Sequence, residues 1–307
     1  MHRLRAYNFN CNVISVVQLG QLDYGEGLRL QGKLVELRKA GEIGDVLLLL
    51  EHAPVITLGR NAKAGNVLVS TEVLAARGVE VFECDRGGDV TFHGPGQLVG
   101  YPIFDLRGFE RSSQKSGSQL SALSSQQPWP TESLPAGRKT LGAVDYVRRL
   151  EEVLIRSCAD FGIASRRVAG LTGVWTEDAA ELRPAGQPGA PVPTREGKIA
   201  AIGVHISRSV TSHGFALNVN TDLSYFNLIV PCGITAKPVT SMQKELGRAV
   251  DTNQVAESLS RNFGTVFGRQ MLWVDTVDAL LGNTVDVPMK VPAELRQLHD
   301  EGEPHLA

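Results

Sequence analysis

The sequence has few cysteines, no long apolar segment and almost no net charge. Its four cysteines, Cys11, Cys84, Cys158 and Cys232, lie far apart without a C-x-x-C pair, so neither a disulfide framework nor a cysteine-type zinc site is expected. No apolar run approaches the roughly 18 residues of a membrane-spanning helix. The net charge of -2 gives no field that would draw the protein to nucleic acid or to a membrane surface. These absences predict a soluble protein of a reducing compartment, without a metal, nucleic-acid or membrane partner.

The first residues, MHRLRAYNFN, contain no apolar segment followed by a small-residue cleavage site, which argues against a secretory signal. Their two arginines and lack of acidic residues leave organelle targeting open. We expect a cytoplasmic location, with a mitochondrial location as the alternative.

The 307 residues are enough for one large domain. We expect a single domain over residues 1–290 and a loosely held tail over 291–307. Two segments, about 111–140 and 177–197, are rich in Ser, Gln, Pro, Ala and Gly, which is typical of long surface loops. Their composition argues against a place in the core.

Hydrophobic periodicity predicts strands and helices interspersed along the chain. The predicted helices are LDYGEGLRLQGKLVELRKAG, from Asp23 as N-cap to Gly41, AVDYVRRLEEVLIRSCADFG, which Gly162 ends, and NQVAESLSRNFGTVFG. The predicted strands are NVISVVQLG, DVLLLLEH, VEVFEC, DVTFH, LVGYPIFDL, GVWT, KIAAIGVHIS and SHGFALNVN, the last two antiparallel. Because several strands follow one another directly, we expect an α/β (α+β) fold with a mixed sheet and covering helices.

The most specific stretch is CDRGGDVTFHGPGQLVGYPI, Cys84 to Ile103. Its glycines permit close approach of the backbone to a ligand, and Arg86 and His93 stand at the two ends of a short strand. A phosphate-binding loop is not supported, because G-x-G-x-x-x-G is one residue too long and no helix follows it. The alternative to a ligand-binding role for HGPG is a tight turn with only a structural role.

A second group of candidates lies downstream. Lys198 begins an apolar strand, where the alternative to a functional role is an ammonium that reaches solvent. His213 precedes a glycine and is otherwise a hydrogen-bonded turn residue, and His205 is interpreted as structural. Cys232 stands between a proline and a glycine, so its thiol is either a small buried hydrophobe or a nucleophile on a sharp bend.

Together, RGGDVTFHGPGQ, GKIAAIG, SHGFALNVNTDLS and PCGI resemble the lipoyl(octanoyl) transferases, relatives of lipoate and biotin ligases, over about Val13 to Phe267. The resemblance implies a biotin/lipoate protein ligase-like fold and no cofactor. It also implies transfer of an octanoyl group from octanoyl-acyl carrier protein to a lysine of lipoyl domains, the first step of endogenous lipoate biosynthesis. The implied acceptors are the lipoyl domains of 2-oxoacid dehydrogenase complexes and the glycine cleavage H protein.

The resemblance also implies the roles of particular residues. The nucleophile that forms the acyl thioester falls on Cys232 and the assisting lysine on Lys198, with His213 as a supporting residue; His93 either shapes the pocket or bonds the thioester carbonyl. The implied substrate-binding residues are Arg86, Gly87, Gly88, Asp89, Val90, Thr91, Phe92, His93, Ala201, Ile202, Gly203, Gly214, Phe215 and Ala216.

These residue types suit acyl transfer, since a thiolate both attacks a carbonyl and leaves again. An ammonium about 4 Å away contributes up to about 4 kcal/mol at an effective dielectric near 20. After the opposing effect of burial, we expect it to lower the pKa of a cysteine thiol by about one to two units.

Two other classes remain open from the sequence. An ATP-dependent lipoate or biotin ligase of the same fold would form an acyl-adenylate and need no cysteine. A non-enzymatic lipid- or metal-binding module is the third interpretation, although the scattered Cys and His lack ligand spacing.

Overall fold

The computed structural model describes residues 12–109, 140–177, 196–231 and 238–281. Within these ranges, helices cover a large sheet and a small sheet lies beside it. The strands are β1 (Val13–Leu22), β2 (Asp45–His52), β3 (Val55–Leu58), β4 (Glu80–Glu83), β5 (Val90–His93), β6 (Gln97–Ile103), β7 (Ser165–Val168), β8 (Leu171–Thr176), β9 (Lys198–Ser207), β10 (Val210–Asn218) and β11 (Gln270–Trp273). The helices are α1 (Tyr24–Ala40), α2 (Thr71–Ala76), α3 (Ala143–Asp160), α4 (Met242–Leu246), α5 (Thr252–Phe267) and α6 (Val277–Leu280). Short 3₁₀ helices span Ala64–Asn66, Leu106–Phe109 and Leu223–Leu228.

The large sheet has the strand order β11-β1-β2-β6-β10-β9-β8-β7. Strand β1 pairs parallel with β11 and β2, whereas the pairs from β2 through β6, β10, β9 and β8 to β7 are antiparallel. The predicted mixed sheet with covering helices is therefore confirmed. The predicted loops at about 111–140 and 177–197 and the tail lie mostly or wholly outside the described residues, as does Cys232.

Strand β2 shows why the apolar run DVLLLLEH forms a central strand. Leu47 and Leu49 belong to the cluster beneath α3 and α5, and Leu48 and Leu50 belong to the cluster beneath α1. Because successive side chains of a strand point to opposite faces, a continuous apolar run fits a strand covered on both sides.

Helix α1 begins after Asp23 and ends before Gly41, as the sequence predicts. Gly41 has a left-handed backbone, and its N–H is bonded to the carbonyls of Leu37 and Arg38, which is the usual glycine termination. Leu34 is buried against the sheet, and partly buried leucines of the same helix flank it. No helix within the described ranges is long and apolar enough to cross a bilayer.

The small sheet has the order β4-β3-β5 and carries the glycine-rich motif on its β5 strand. Beside it, β9 and β10 form the predicted antiparallel hairpin, closed by a turn in which Arg208 and Ser209 both have positive φ. Two consecutive residues of positive φ give a turn of the I′ kind, whose twist matches that of a hairpin. The motif and the hairpin together form the site.

Candidate active site

The main cavity, of about 460 Å³, opens between the glycine-rich motif and the β9–β10 hairpin. Most of the residues predicted to bind substrate line it: Arg86, Gly87, Gly88, Thr91, His93, Ala201, Ile202, Gly203, Gly214, Phe215 and Ala216, together with His213. Tyr24, Val99 and Tyr101 complete the lining and were not identified from the sequence.

Asp89, Val90 and Phe92 are motif residues that do not line the main cavity. Strand alternation is the reason for two of them, since Thr91 and His93 face the cavity while Val90 and Phe92 lie in the small sheet's own apolar cluster. The Asp89 carboxylate accepts hydrogen bonds from the backbone N–H of Lys63 at 3.1 Å and from the Asn66 amide at 2.5 Å. Asp89 thus ties the segment after β3 to the motif.

Glycines at the cavity wall allow the motif backbone to lie directly on β9. A Cβ atom at Gly203 would stand 2.6 Å from the carbonyl oxygen of Gly87, closer than real Cβ contacts allow. The Gly87 N–H donates to the Val204 carbonyl at 3.0 Å. The small residues of the two motifs are therefore required for the two segments to form one wall.

Arg86 is buried and holds the motif in shape. Its guanidinium donates to the hydroxyl and the carbonyl oxygen of Thr57 and to the carbonyls of Gly87 and Asp89, at 2.7–3.1 Å. A planar group with several fixed donors suits this task, which the single ammonium of a lysine would not perform equally well. Most Arg86 donors are thereby committed to the fold, so its part in ligand binding is mainly to shape the wall.

A chain of amide hydrogen bonds fixes the tautomer of His93. The Gln97 amide nitrogen donates to the Phe92 carbonyl at 3.2 Å and to the Asn218 side-chain oxygen at 2.9 Å, so the Gln97 oxygen faces His93. His93 Nδ1 lies 2.7 Å from that oxygen and must donate to it. Burial, with smaller effects of His52 and Arg86, lowers the pKa of His93 to about 3. His93 is therefore a neutral ring whose Nε2 accepts hydrogen bonds and does not donate to a carbonyl.

This low pKa predicts a loss of stability in mild acid. An unfolded chain takes up the His93 proton near pH 6.5, whereas the folded chain does so only near pH 3, so stability falls as the pH drops between these values. From pH 6.5 to 5 the His93 contribution is about 2 kcal/mol, at 1.36 kcal/mol per unit. Burial also lowers the pKa of His52 and of His213, which adds to the same trend.

Urea unfolding at pH 7 and pH 5 measures this effect. His93→Gln should show a smaller difference between the two free energies of unfolding than the wild-type protein. An unchanged difference in His93→Gln would contradict a buried, neutral His93.

Two further histidines lie in or behind the wall of the main cavity. His52 Nδ1 donates to the Leu22 carbonyl at 2.9 Å, so its Nε2 accepts from the Tyr101 hydroxyl at 2.6 Å. At the β10 end, His213 Nε2 lies 2.6 Å from Asp85 Oδ1. Burial lowers the pKa of His213, and the bond to Asp85 opposes the fall. Both histidines are held in one orientation. His213 lines the cavity, whereas His52 lies behind it and holds the lining residue Tyr101.

Lys198 lies in a second cavity, of about 290 Å³, that adjoins the first. Its backbone N–H donates to the Pro238 carbonyl at 2.8 Å, and its side chain is only 9% exposed. We call this second cavity the lysine chamber; it is lined by Thr91, Gln97, Lys198, Ala200, Ala201, Ala216, Asn218, Phe226, Pro231 and Val239. Thr91, Ala201 and Ala216 also line the main cavity, so the two spaces meet there.

Cys232 belongs to the range 232–237, which lies outside the described residues. The described residues on both sides of this range, Pro231 and Val239, line the lysine chamber. Among the described residues, no group of His, Cys, Asp and Glu could hold a metal ion.

Comparison with known proteins shows the family of the chain. Residues 23–123 and 134–264 match the family described as the lipoyl protein ligase A/B catalytic domain. The octanoyltransferase of Koribacter versatilis (strain Ellin345) is 53% identical over 289 residues, 94% of this chain and 98% of that protein. The octanoyltransferase of Acidobacterium capsulatum is 53% identical over 271 residues, 88% of this chain and 96% of that protein.

Among solved structures, a bi-partite lipoate protein ligase from Thermoplasma acidophilum has a TM-score of 0.57 at 15% identity, covering 88% of this chain and 91% of that chain. At such low identity this likeness bears on the fold alone. Since the family match spans most of the chain and the relatives at 53% identity align over nearly their full lengths, the chain belongs to the lipoyl protein ligase A/B catalytic domain family and is an acyltransferase.

Proposed function

We propose that the protein transfers an octanoyl group from octanoyl-acyl carrier protein to a lysine of a lipoyl domain, within lipoate biosynthesis, through a thioester on Cys232. The observation that carries this proposal is the lysine chamber. It holds the buried Lys198 and Pro231, the residue before Cys232 in the sequence, and it adjoins a larger cavity whose wall is partly apolar. The octanoyltransferase relatives support the choice of acyl group.

In the first step, the Cys232 thiolate attacks the carbonyl carbon of the donor thioester. A new C–S bond forms, the bond to the carrier sulfur breaks, and the departing thiolate takes a proton from Lys198. In the second step, the neutral amine of the acceptor lysine attacks the same carbon, a C–N bond forms and the bond to Cys232 breaks. The proton lost by the amine returns to Lys198, which acts as acid and then as base.

The main cavity suits the octanoyl chain. Burial of each methylene contributes about 0.8 kcal/mol, so several methylenes in this space supply several kcal/mol of binding. Phe215 and Ala216 are buried and present apolar surface there. A closed site also protects the acyl-enzyme from water. The long loops of the chain are proposed to contact the carrier protein or the acceptor.

Intact-protein mass spectrometry tests this function. Incubation with octanoyl-acyl carrier protein, without ATP, should add one octanoyl group to the wild-type protein and to Cys84→Ser, but none to Cys232→Ser. Subsequent addition of a lipoyl domain should move the group to a lysine of that domain.

Three results would contradict the proposal. An adduct that forms only with ATP would indicate the ligase reaction, and an adduct that persists in Cys232→Ser would exclude the thioester. Octanoate bound without any transfer to the lipoyl domain would indicate a lipid-binding module.

A further inference from the structure

The side chain of Trp175 lies against the ammonium of Lys198. Lys198 Nζ is 5.2 Å from the centre of the Trp175 ring, within the range of a cation–π contact, for which Trp is the best aromatic partner. Trp175 is fully buried and heads the largest buried side chains of the described residues. It nevertheless belongs to none of the three apolar clusters that the described residues form.

A register shift in the sheet brings the two residues together. Strand β8 pairs with β9 through Val174 and Ala200, and then through Trp175 and Lys198. Regular antiparallel pairing would place Ile199 opposite Trp175. Because of the irregularity, Lys198 lies there instead. Such bulges re-aim side chains and are frequent beside active sites.

Gly173, which lies on β8 with Trp175, leaves room for the side chain of Lys198 on β9. A Cβ atom there would stand 2.9 Å from Lys198 Cε and 2.6 Å from the Ala200 carbonyl oxygen, and the backbone has a φ of +126°. The Gly173 N–H donates at 3.2 Å to the carboxylate of Glu151, which is fully buried on α3. The backbone beneath Lys198 is thus anchored to a helix.

We propose that Trp175 is the positioning residue of Lys198, its indole face holding the ammonium in one place for the acid and base steps. This inference rests on the role of Lys198 given under Proposed function. An aromatic face stabilises a cation that has lost water without adding a negative charge. A carboxylate in its place would oppose formation of the Cys232 thiolate.

Site-specific replacement of Trp175 by tryptophans of increasing fluorine content tests the proposal in the full-length enzyme. Fluorine weakens the negative face of the ring with little change in its shape. The single-turnover acylation rate with octanoyl-acyl carrier protein should fall with each added fluorine, by about tenfold over the whole series. The pH at which iodoacetamide labels Cys232 should rise in step. The same series at Trp273, on the distant β11 strand, should change neither quantity.

Two substitutions complete the test. Trp175→Phe should keep more activity than Trp175→Leu, because phenylalanine retains an aromatic face. A flat fluorine series would overturn the positioning role, even where Trp175→Leu fails to fold. If a flat series is found while the Cys232 adduct forms and Lys198→Ala is impaired, the proposed function stands and only this inference fails. If no adduct forms on Cys232 in the wild-type enzyme, the proposed function fails, and this inference fails with it.

Discussion

Replacing Lys198 with alanine should slow octanoyl transfer by about 10²–10⁴-fold, the range for loss of a positioned general acid–base group. The physical reason is twofold. In the proposed mechanism, the thiolate of Cys232 would lose the positive charge that stabilises it, and the departing carrier thiolate and the attacking amine would lose their proton donor and acceptor. Single-turnover rates for acylation and for transfer to a lipoyl domain, measured separately, should both fall, and iodoacetamide labelling of Cys232 should require a higher pH.

Lys198→Arg separates the two effects. A guanidinium keeps the charge but does not give up its proton in this pH range, so the labelling pH should stay close to that of the wild-type enzyme while transfer remains slow. Lys33→Ala, at an exposed position of α1, is the matched control and should retain both properties. Unchanged labelling across pH in Lys198→Ala would show that the lysine does not act on the thiol.

The sequence predicted the parts of this site that depend on local pattern. The run DVLLLLEH is buried on both faces as predicted, and Gly41 ends its helix with a left-handed backbone. The strands β3, β7 and β11 were not predicted. They are no shorter than β4 and β5, which have four residues each. However, VEVFEC alternates apolar and other residues and DVTFH is flanked by glycines, whereas VITL, SRRV and QMLW show no such local pattern. Their place in the sheets is set by pairing with neighbours that are distant in the sequence.

The residues of the site also divide into those that the sequence predicts and those whose place depends on the tertiary structure. Family resemblance assigned the whole motif from Arg86 to His93 to substrate binding, but the alternation of β5 turns Val90 and Phe92 away from the cavity. Trp175 has no local signal that links it to Lys198, since their contact depends on a register shift between β8 and β9. Contacts of this kind depend on the tertiary structure and cannot be obtained from spacing along one chain.

Narrowing the proposed passage between the two cavities should change which acyl chains the enzyme accepts. Ala201 and Ala216 pair directly across β9 and β10, and both line the main cavity and the lysine chamber. In Ala201→Leu the added side chain would exclude about four methylenes of an octanoyl group from the main cavity, at about 0.8 kcal/mol each. Acylation by octanoyl-acyl carrier protein should therefore fall by about 10²-fold, while acylation by acetyl-acyl carrier protein should be nearly unchanged.

The ratio of octanoyl to acetyl acylation rates in one preparation provides an internal control, because partial misfolding lowers both rates equally. Ala76→Leu makes the same substitution at an exposed position of α2 and should leave the ratio at its wild-type value. If Ala201→Leu lowered both rates by the same factor, the passage would not be the route of the acyl chain, and the main cavity would lose its assignment as the octanoyl site. If Ala201 and Ala216 limit the size of the acyl chain, only the rate with the octanoyl group should fall, because the acetyl group is too short to reach beyond them.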